Sequence, residues 1–252
     1  MIICDTTIWY DIGMGNIPVK KLANQHLVCT ALSLIEIANS DNLYKRNQEA
    51  KNAINAIKNF AVCFYFEDYF GHALQKLGSN HLAKNTLAIK CWENLQQILN
   101  LDFTFSERII KNAETIFNER KNPFIDANRE FNTAIQIGKS KVGDSISSRE
   151  LETKKAFVSI LNTYLIENSH ESFKIDLSSP KWDDLELLIE VLAEYYNMIL
   201  ERKGKKMQLN DWGDIFNMAY VSQGDLYWTN EPKWNILIKK NPKTEKYLFQ
   251  LN

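Results

Sequence analysis

The chain has 252 residues, 45% of them apolar and 24% charged, with a formal net charge of −1. That length can bury a sizeable core in one enlarged domain or two small ones, and the composition is that of an ordinary globular protein rather than a disordered or fibrous one. The near-neutral charge excludes a general attraction to phosphates, so any nucleic-acid binding must use a local basic patch.

Only nine glycines and five prolines occur, which argues against a loop-rich all-β fold and for long helices. No apolar run approaches the roughly 20 residues needed to span a bilayer, and Asp5 breaks the opening apolar run too early for a signal peptide. No membrane association and a cytoplasmic location are therefore expected. Cys4, Cys29, Cys63 and Cys91 are widely spaced, with no Cys-x-x-Cys pair, and read as buried thiols. His26, His72, His81 and His170 show no i, i+4 pairing, which argues against a metal held by histidine.

In chain order, Met1-Ile2-Ile3-Cys4 predicts a strand that ends at Asp5, followed by a helical stretch around residues 7–14. A second strand near 27–30 runs into a helix near 32–38, and a helix over about 43–60 repeats Ala53, Ile54, Ile57 and Phe60 at helical spacing. The apolar run Ala61-Val62-Cys63-Phe64-Tyr65-Phe66 predicts a strand covered on both faces. This alternation indicates a parallel α/β sheet.

From about 80 to 170 the strand signals stop. Leu82, Leu87, Cys91, Leu95 and Ile98 form one helical stripe; Ile109, Ile110, Ala113, Ile116 and Phe117 form another; Leu151, Phe157, Ile160, Leu161, Tyr164 and Leu165 form a third. A shorter helix after Pro123 carries Phe124, Ala127, Phe131 and Ala134. The block reads as a helical insertion within one domain spanning 1–252, and 138–148 reads as its loop.

Phe173–Leu177 predicts a returning strand, and Ser179-Pro180 opens a long amphipathic helix that Lys203-Gly204-Lys205-Lys206 closes. A helix over 211–222 with Asn210 as its cap, a strand over 226–230, a helix near 233–240 and a last strand at 247–251 complete the chain. No internal repeat is present.

Asp5, Glu36, Asp214 and Glu231 each stand at the end of a predicted strand or on the helix beside it. In open α/β sheets, ligands and catalytic groups collect at the carboxyl edge of the strands. The pattern of Asp5-Thr6-Thr7, Ser33-Leu34-Ile35-Glu36, Asp214 with Ala219 five residues later, and Thr229-Asn230-Glu231 resembles the PIN-domain nucleases, whose motifs occur in the same order. The resemblance covers about 1–70 and 175–252. It departs at the last acid, usually Asp and here Glu231, and at Trp234, where Phe is common.

The resemblance implies a three-layer parallel α/β fold with a large helical insertion at 80–170, and a nuclease that cuts phosphodiesters to leave a 5′-phosphate and a 3′-hydroxyl. Clustered carboxylates repel one another unless a hard divalent cation sits among them, and Mg²⁺ or Mn²⁺ prefers such oxygen ligands. The implied ligands are Asp5, Glu36, Asp214 and Glu231. Asp211 is expected in a capping or supporting role, and Thr229 and Thr7 as hydroxyl partners.

RNA is the favoured substrate over DNA, as for toxins of toxin–antitoxin pairs or defence ribonucleases. The insertion is the expected seat of a protein partner or antitoxin, and a homo-oligomer is a further expectation. Trp9, Trp212, Trp228 and Trp234 have core packing as their first reading and base stacking as their second. Lys20-Lys21, the 203–206 cluster and Lys239-Lys240, with the weaker Lys139 to Lys141 loop, are the candidate phosphate contacts.

Two other readings stand beside this one. The first is an inactive PIN-like scaffold that binds a protein or nucleic acid. The second is a phosphatase of the haloacid-dehalogenase type, which needs a second Asp two residues after the nucleophile, where this chain has Thr7.

Overall fold

A computed structural model describes residues 1–80, 86–99, 132, 146–169, 173–201, 206–208 and 210–251. Strands β1 (Ile2–Cys4), β2 (Leu27–Thr30), β3 (Ala61–Tyr65) and β4 (Leu226–Trp228) form one sheet in the order β3-β2-β1-β4, every pair parallel. Ile2 lies opposite both Leu27 and Leu226, and Cys4 opposite Trp228. The carboxyl ends of β1 and β4 are therefore level, and Asp5 N–H extends the ladder to the Trp228 carbonyl at 2.9 Å.

Parallel neighbours require crossovers, and helices supply them. α1 (Thr6–Gly13) returns the chain from β1 to β2; α2 (Ala31–Ala38), α3 (Asn42–Lys45) and α4 (Asn47–Phe60) return it from β2 to β3. Alternating strand residues divide the core into two faces. Ile2, Cys4, Leu27, Cys29 and Trp228 pack under α1, α4 and α6 (Thr86–Leu99). Ile3, Val28 and Tyr227 pack under α5 (Tyr69–Lys76), α7 (Ile146–Ser169), α8 (Glu186–Glu201) and α10 (Pro232–Lys240). The molecule is a three-layer parallel α/β structure, and two covered faces explain why its central strands are apolar throughout.

Local chemistry sets the details. Thr30 caps α2 by accepting Ser33 N–H at 3.2 Å, and Asp68 caps α5 by accepting Phe70 and Gly71 N–H groups at 3.1 and 3.0 Å. α4 buries Ala50, Ala53, Ile54, Ala56 and Ile57 on one face, and each fully buried isoleucine contributes about 1.5–3 kcal/mol. Gly13 permits α1 to lie against α4, because a Cβ there would meet the Asn52 carbonyl at 2.5 Å.

Several expectations need correction. The helix expected over 43–60 is two, broken at Arg46 (φ −134°, ψ 53°). β3 is an edge strand, so Val62 is exposed rather than covered. Phe173–Leu177 makes no strand; it runs along α7, where Phe173 N–H donates to Asn162 Oδ1 at 2.7 Å. The last strand is reduced to one parallel bridge, Tyr227 to Leu248.

The long helix after Ser179 begins as a 3-10 turn, Pro180–Leu185, before α8. The helix expected over 211–222 is α9 (Asp211–Asn217) plus a 3-10 turn, Met218–Tyr220. α5 and the short α11 (Pro242–Glu245) were not anticipated.

In the middle block, α6 buries Ala88, Cys91 and Leu95 while Leu87 is exposed, so its true stripe is turned from the expected one. α7 buries Phe157, Leu161 and Leu165, and its first residues overlap the expected loop. α6 gives Cys91 and Leu95 to one face of the sheet core and Ala88 to the other, which α7 also joins. The stripe at 109–117 and the helix after Pro123 lie outside the described residues, apart from Asn132, as do the Lys139 to Lys141 loop and positions 203–205. All four cysteines are free, three of them buried and Cys63 half-buried. No described helix is long and apolar enough to cross a membrane.

Candidate functional site

Asp5 leaves β1 in extended conformation (φ −62°, ψ 154°) and stands at the start of α1. That geometry delivers its carboxylate to the carboxyl edge, where it is only 2% exposed. Its Oδ2 accepts the Thr229 hydroxyl at 2.8 Å and the Thr7 hydroxyl at 3.3 Å. Burial pushes the Asp5 carboxyl up to about 6; the Thr229 hydrogen bond opposes that rise and the nearby Glu231 charge adds to it.

Three more acids reach the same edge from separate elements. Glu36, near the end of α2, is half-buried, and its Oε2 accepts the Thr6 hydroxyl. Burial raises it to about 7 against that hydrogen bond, with Asp5 and Glu231 adding to the rise. Asp214, in the first turn of α9, is pushed up to about 8 by burial and then by Asp5, Glu231 and Glu36. The indole N–H of Trp234 faces Asp214 and partly offsets the rise, without the geometry of a full hydrogen bond. Glu231 precedes α10, and its N–H donates to Thr229 Oγ1 at 3.1 Å.

Asp5, Glu36, Asp214 and Glu231 therefore share one electrostatic neighbourhood, with Asp5 at its floor and the other three half-buried above it. Among the described residues none of the four takes part in an ion pair. Equally, no three His, Cys, Asp or Glu side chains among the described residues stand in the arrangement of a preformed metal site. The carboxylates feel one another without converging on a common point. In the middle block, Glu150 faces elsewhere and pairs with Lys154 and Lys243.

Asp211 belongs to a different cluster. Its Oδ1 pairs with Lys233, and its Oδ2 accepts the Tyr195 hydroxyl and, at 3.1 Å, the Gln208 N–H. The Lys233 ammonium also lies over the Trp234 ring, 4.0 Å from its centroid. Asp211 thus ties α9 to α8 and α10. Asn210 occupies the cap position in helical conformation and makes no side-chain capping bond, contrary to expectation.

A buried polar floor lies beneath the acids. Thr30 donates its hydroxyl to Asn217 Oδ1 at 2.7 Å, and Asn217 Nδ2 and the Ser33 hydroxyl both donate to the Cys4 carbonyl at 3.4 Å. These bonds fasten β1, β2, α2 and α9 at the level of the site. Thr6, Ser33, Asn217, Lys233 and Tyr195 were not anticipated as members of this environment. Thr6 and Ser33 carried a signal, through their places in Asp5-Thr6-Thr7 and Ser33-Leu34-Ile35-Glu36.

Trp9, Trp212, Trp228 and Trp234 are exposed by 3% or less and are core residues, which leaves no base-stacking platform among them. Of the basic pairs, Lys20 and Lys21 lie on the return from α1 to β2, and Lys239 and Lys240 close α10. Lys240 pairs with Glu194 at 2.8 Å.

Fold and edge together define a three-layer parallel α/β protein with an acid-lined carboxyl edge. No protein-family model, curated protein or solved structure gives a significant match to the chain. The four acids are all-oxygen, anionic donors, and among the described residues no lysine or arginine pairs with them, which is the chemistry that suits Mg²⁺ or Mn²⁺.

Proposed function

We propose that the chain is a PIN-like, metal-dependent nuclease that hydrolyses phosphodiester bonds. Asp5, Glu36, Asp214 and Glu231 would hold Mg²⁺ or Mn²⁺, and Thr229 would steady Asp5. The observation that carries the reading is the shared field of four carboxylates from four separate elements, gathered at the carboxyl edge of a parallel sheet around a buried Asp5.

When bound, the cation supplies positive charge to the developing phosphoryl oxygens and lowers the pKa of an attacking water. The chain's own residues do the rest. Thr229 and Thr7 aim their hydroxyls at Asp5 Oδ2 and favour its ionised form. Glu36, whose carboxylate is held by the Thr6 hydroxyl, would hold the cation or orient its water. Asp211, already neutralised by Lys233, holds α9 in place and leaves Asp214 as the acid of that helix in the site.

RNA rather than DNA as substrate and a toxin or defence role follow from the same resemblance, and a cytoplasmic location, a protein partner on the helices of 80–170 and homo-oligomer formation complete the proposal. The inactive-scaffold reading is favoured by the lack of a converged ligand set among the described residues. One experiment separates them: calorimetric titration with Mn²⁺ beside cleavage of single-stranded RNA and DNA. Micromolar binding with Mn²⁺-dependent cleavage supports the nuclease, whereas neither signal would leave the scaffold.

A further inference from the structure

Gly213 stands inside α9 directly before Asp214, at a position where alanine is the better helix former. A Cβ there would lie 2.3 Å from Glu36 Oε1 and 3.6 Å from its Cδ. Among the described residues, Glu36 side-chain atoms are the ones within contact range of that position beyond the helix itself. The other carboxylate oxygen, Oε2, accepts the Thr6 hydroxyl, and Thr6 also reaches Ser33 Oγ at 3.2 Å. The Glu36 carboxylate is thus seated between a hydroxyl at the start of α1 and a bare position on α9.

We propose that Gly213 is a positioning residue whose missing side chain, with the Thr6 hydroxyl opposite, seats the Glu36 carboxylate beside Asp5 and Asp214. Its consequence for activity rests on the metal-site reading; the seat itself is a matter of contact. An added methyl group would push the carboxylate, the far end of a flexible side chain, out of the site and toward solvent. It would leave the backbone of α9 and α2 in place. Glycine here trades helix stability for a functional group's position.

The test compares wild type, Gly213→Ala, Glu36→Asp and the double variant in the full chain, by melting temperature, calorimetric Mn²⁺ affinity and crystal structure. Gly213→Ala should melt at the same or a higher temperature, bind Mn²⁺ about 10- to 100-fold more weakly, as for lost outer support of a ligand, and show Glu36 parted from Thr6. Glu36→Asp, one methylene shorter, clears the new methyl group. The double variant should therefore lose far less than the product of the two single losses.

Unchanged affinity with Glu36 still on Thr6 in Gly213→Ala overturns the proposal. So does a lowered melting temperature, because the methyl group would then be striking more than a movable carboxylate. If the wild type binds no Mn²⁺, the metal reading falls, and the two crystal structures alone decide the seat: Glu36 displaced upholds it, Glu36 unmoved overturns it.

Discussion

Thr229 donates its hydroxyl to Asp5 Oδ2 at 2.8 Å, across 224 positions of sequence. Thr229 Oγ1 itself accepts the Glu231 N–H at 3.1 Å, so the hydroxyl proton is left to point at Asp5. One side chain thereby fixes the ends of β1 and β4 and sets the state of the most buried acid.

Thr229→Val keeps the shape and removes that bond. Losing a donor to the ionised form raises the Asp5 pKa above its present value of about 6. The acid limb of the cleavage pH profile should move to higher pH, and stability at neutral pH should fall by about 1–2 kcal/mol, since an acceptor and an N–H lose their partner together. Superimposable pH profiles for the two proteins would show that Thr229 does not tune the site.

The raised carboxyls also make stability depend on pH in a stated direction. Burial and mutual repulsion raise Asp5, Glu36 and Asp214 to about 6, 7 and 8, so between about pH 4 and 8 the folded chain holds protons that the unfolded chain has lost. Stability of the metal-free protein must then fall as pH rises through that window. Mn²⁺ binds the deprotonated site, so at 100-fold excess over its Kd it should restore about 2.7 kcal/mol at pH 8 and far less at pH 5. Melting curves at both pH values, with and without Mn²⁺, check both signs.

Much of this edge was legible because Asp5, Glu36 and Glu231 come after apolar runs of strand length. Asp214 has no such run before it and was marked by the order of the motifs and by Ala219 five residues later. What was hidden depends on partners remote in sequence. Lys233 claims Asp211, Tyr195 completes that cluster, and Asn217 reaches the Cys4 carbonyl, and none of these pairings has a local signature. Phe173–Leu177 had the alternation of a strand, yet a hydrogen bond to Asn162 and packing on α7 outweighed that propensity. β3 read as fully covered because apolar composition does not distinguish a central strand from an edge.

Asp5→Asn tests the floor of the site. The substitution removes a charge that burial disfavours and keeps an oxygen for Thr229, so the metal-free protein at pH 8 should gain stability, by about 1–3 kcal/mol. Cleavage should be abolished, because the central carboxylate is gone. A variant that is both less stable and fully active would refute the assignment on both counts.

Asp211 and Asp214 stand on the same turn of α9, and their surroundings give opposite forecasts for the same substitution. Asp211 is 6% exposed and satisfied three ways, by Lys233, Tyr195 and the Gln208 N–H. Asp211→Asn removes the charge that Lys233 pairs with and should cost roughly 2–4 kcal/mol, as for breaking a largely buried pair. Among the described residues no cation pairs with Asp214, which is raised to about 8 by burial and by Asp5, Glu231 and Glu36. Asp214→Asn relieves that repulsion and should leave the metal-free protein as stable or more so at pH 8. Activity should separate the two the other way, with Asp214→Asn inactive at saturating Mn²⁺ and Asp211→Asn reduced only in step with its lost stability. Urea unfolding and cleavage measured on both variants give four outcomes, and an inactive, stable Asp211→Asn beside an active Asp214→Asn would move the metal ligand one turn toward the start of α9.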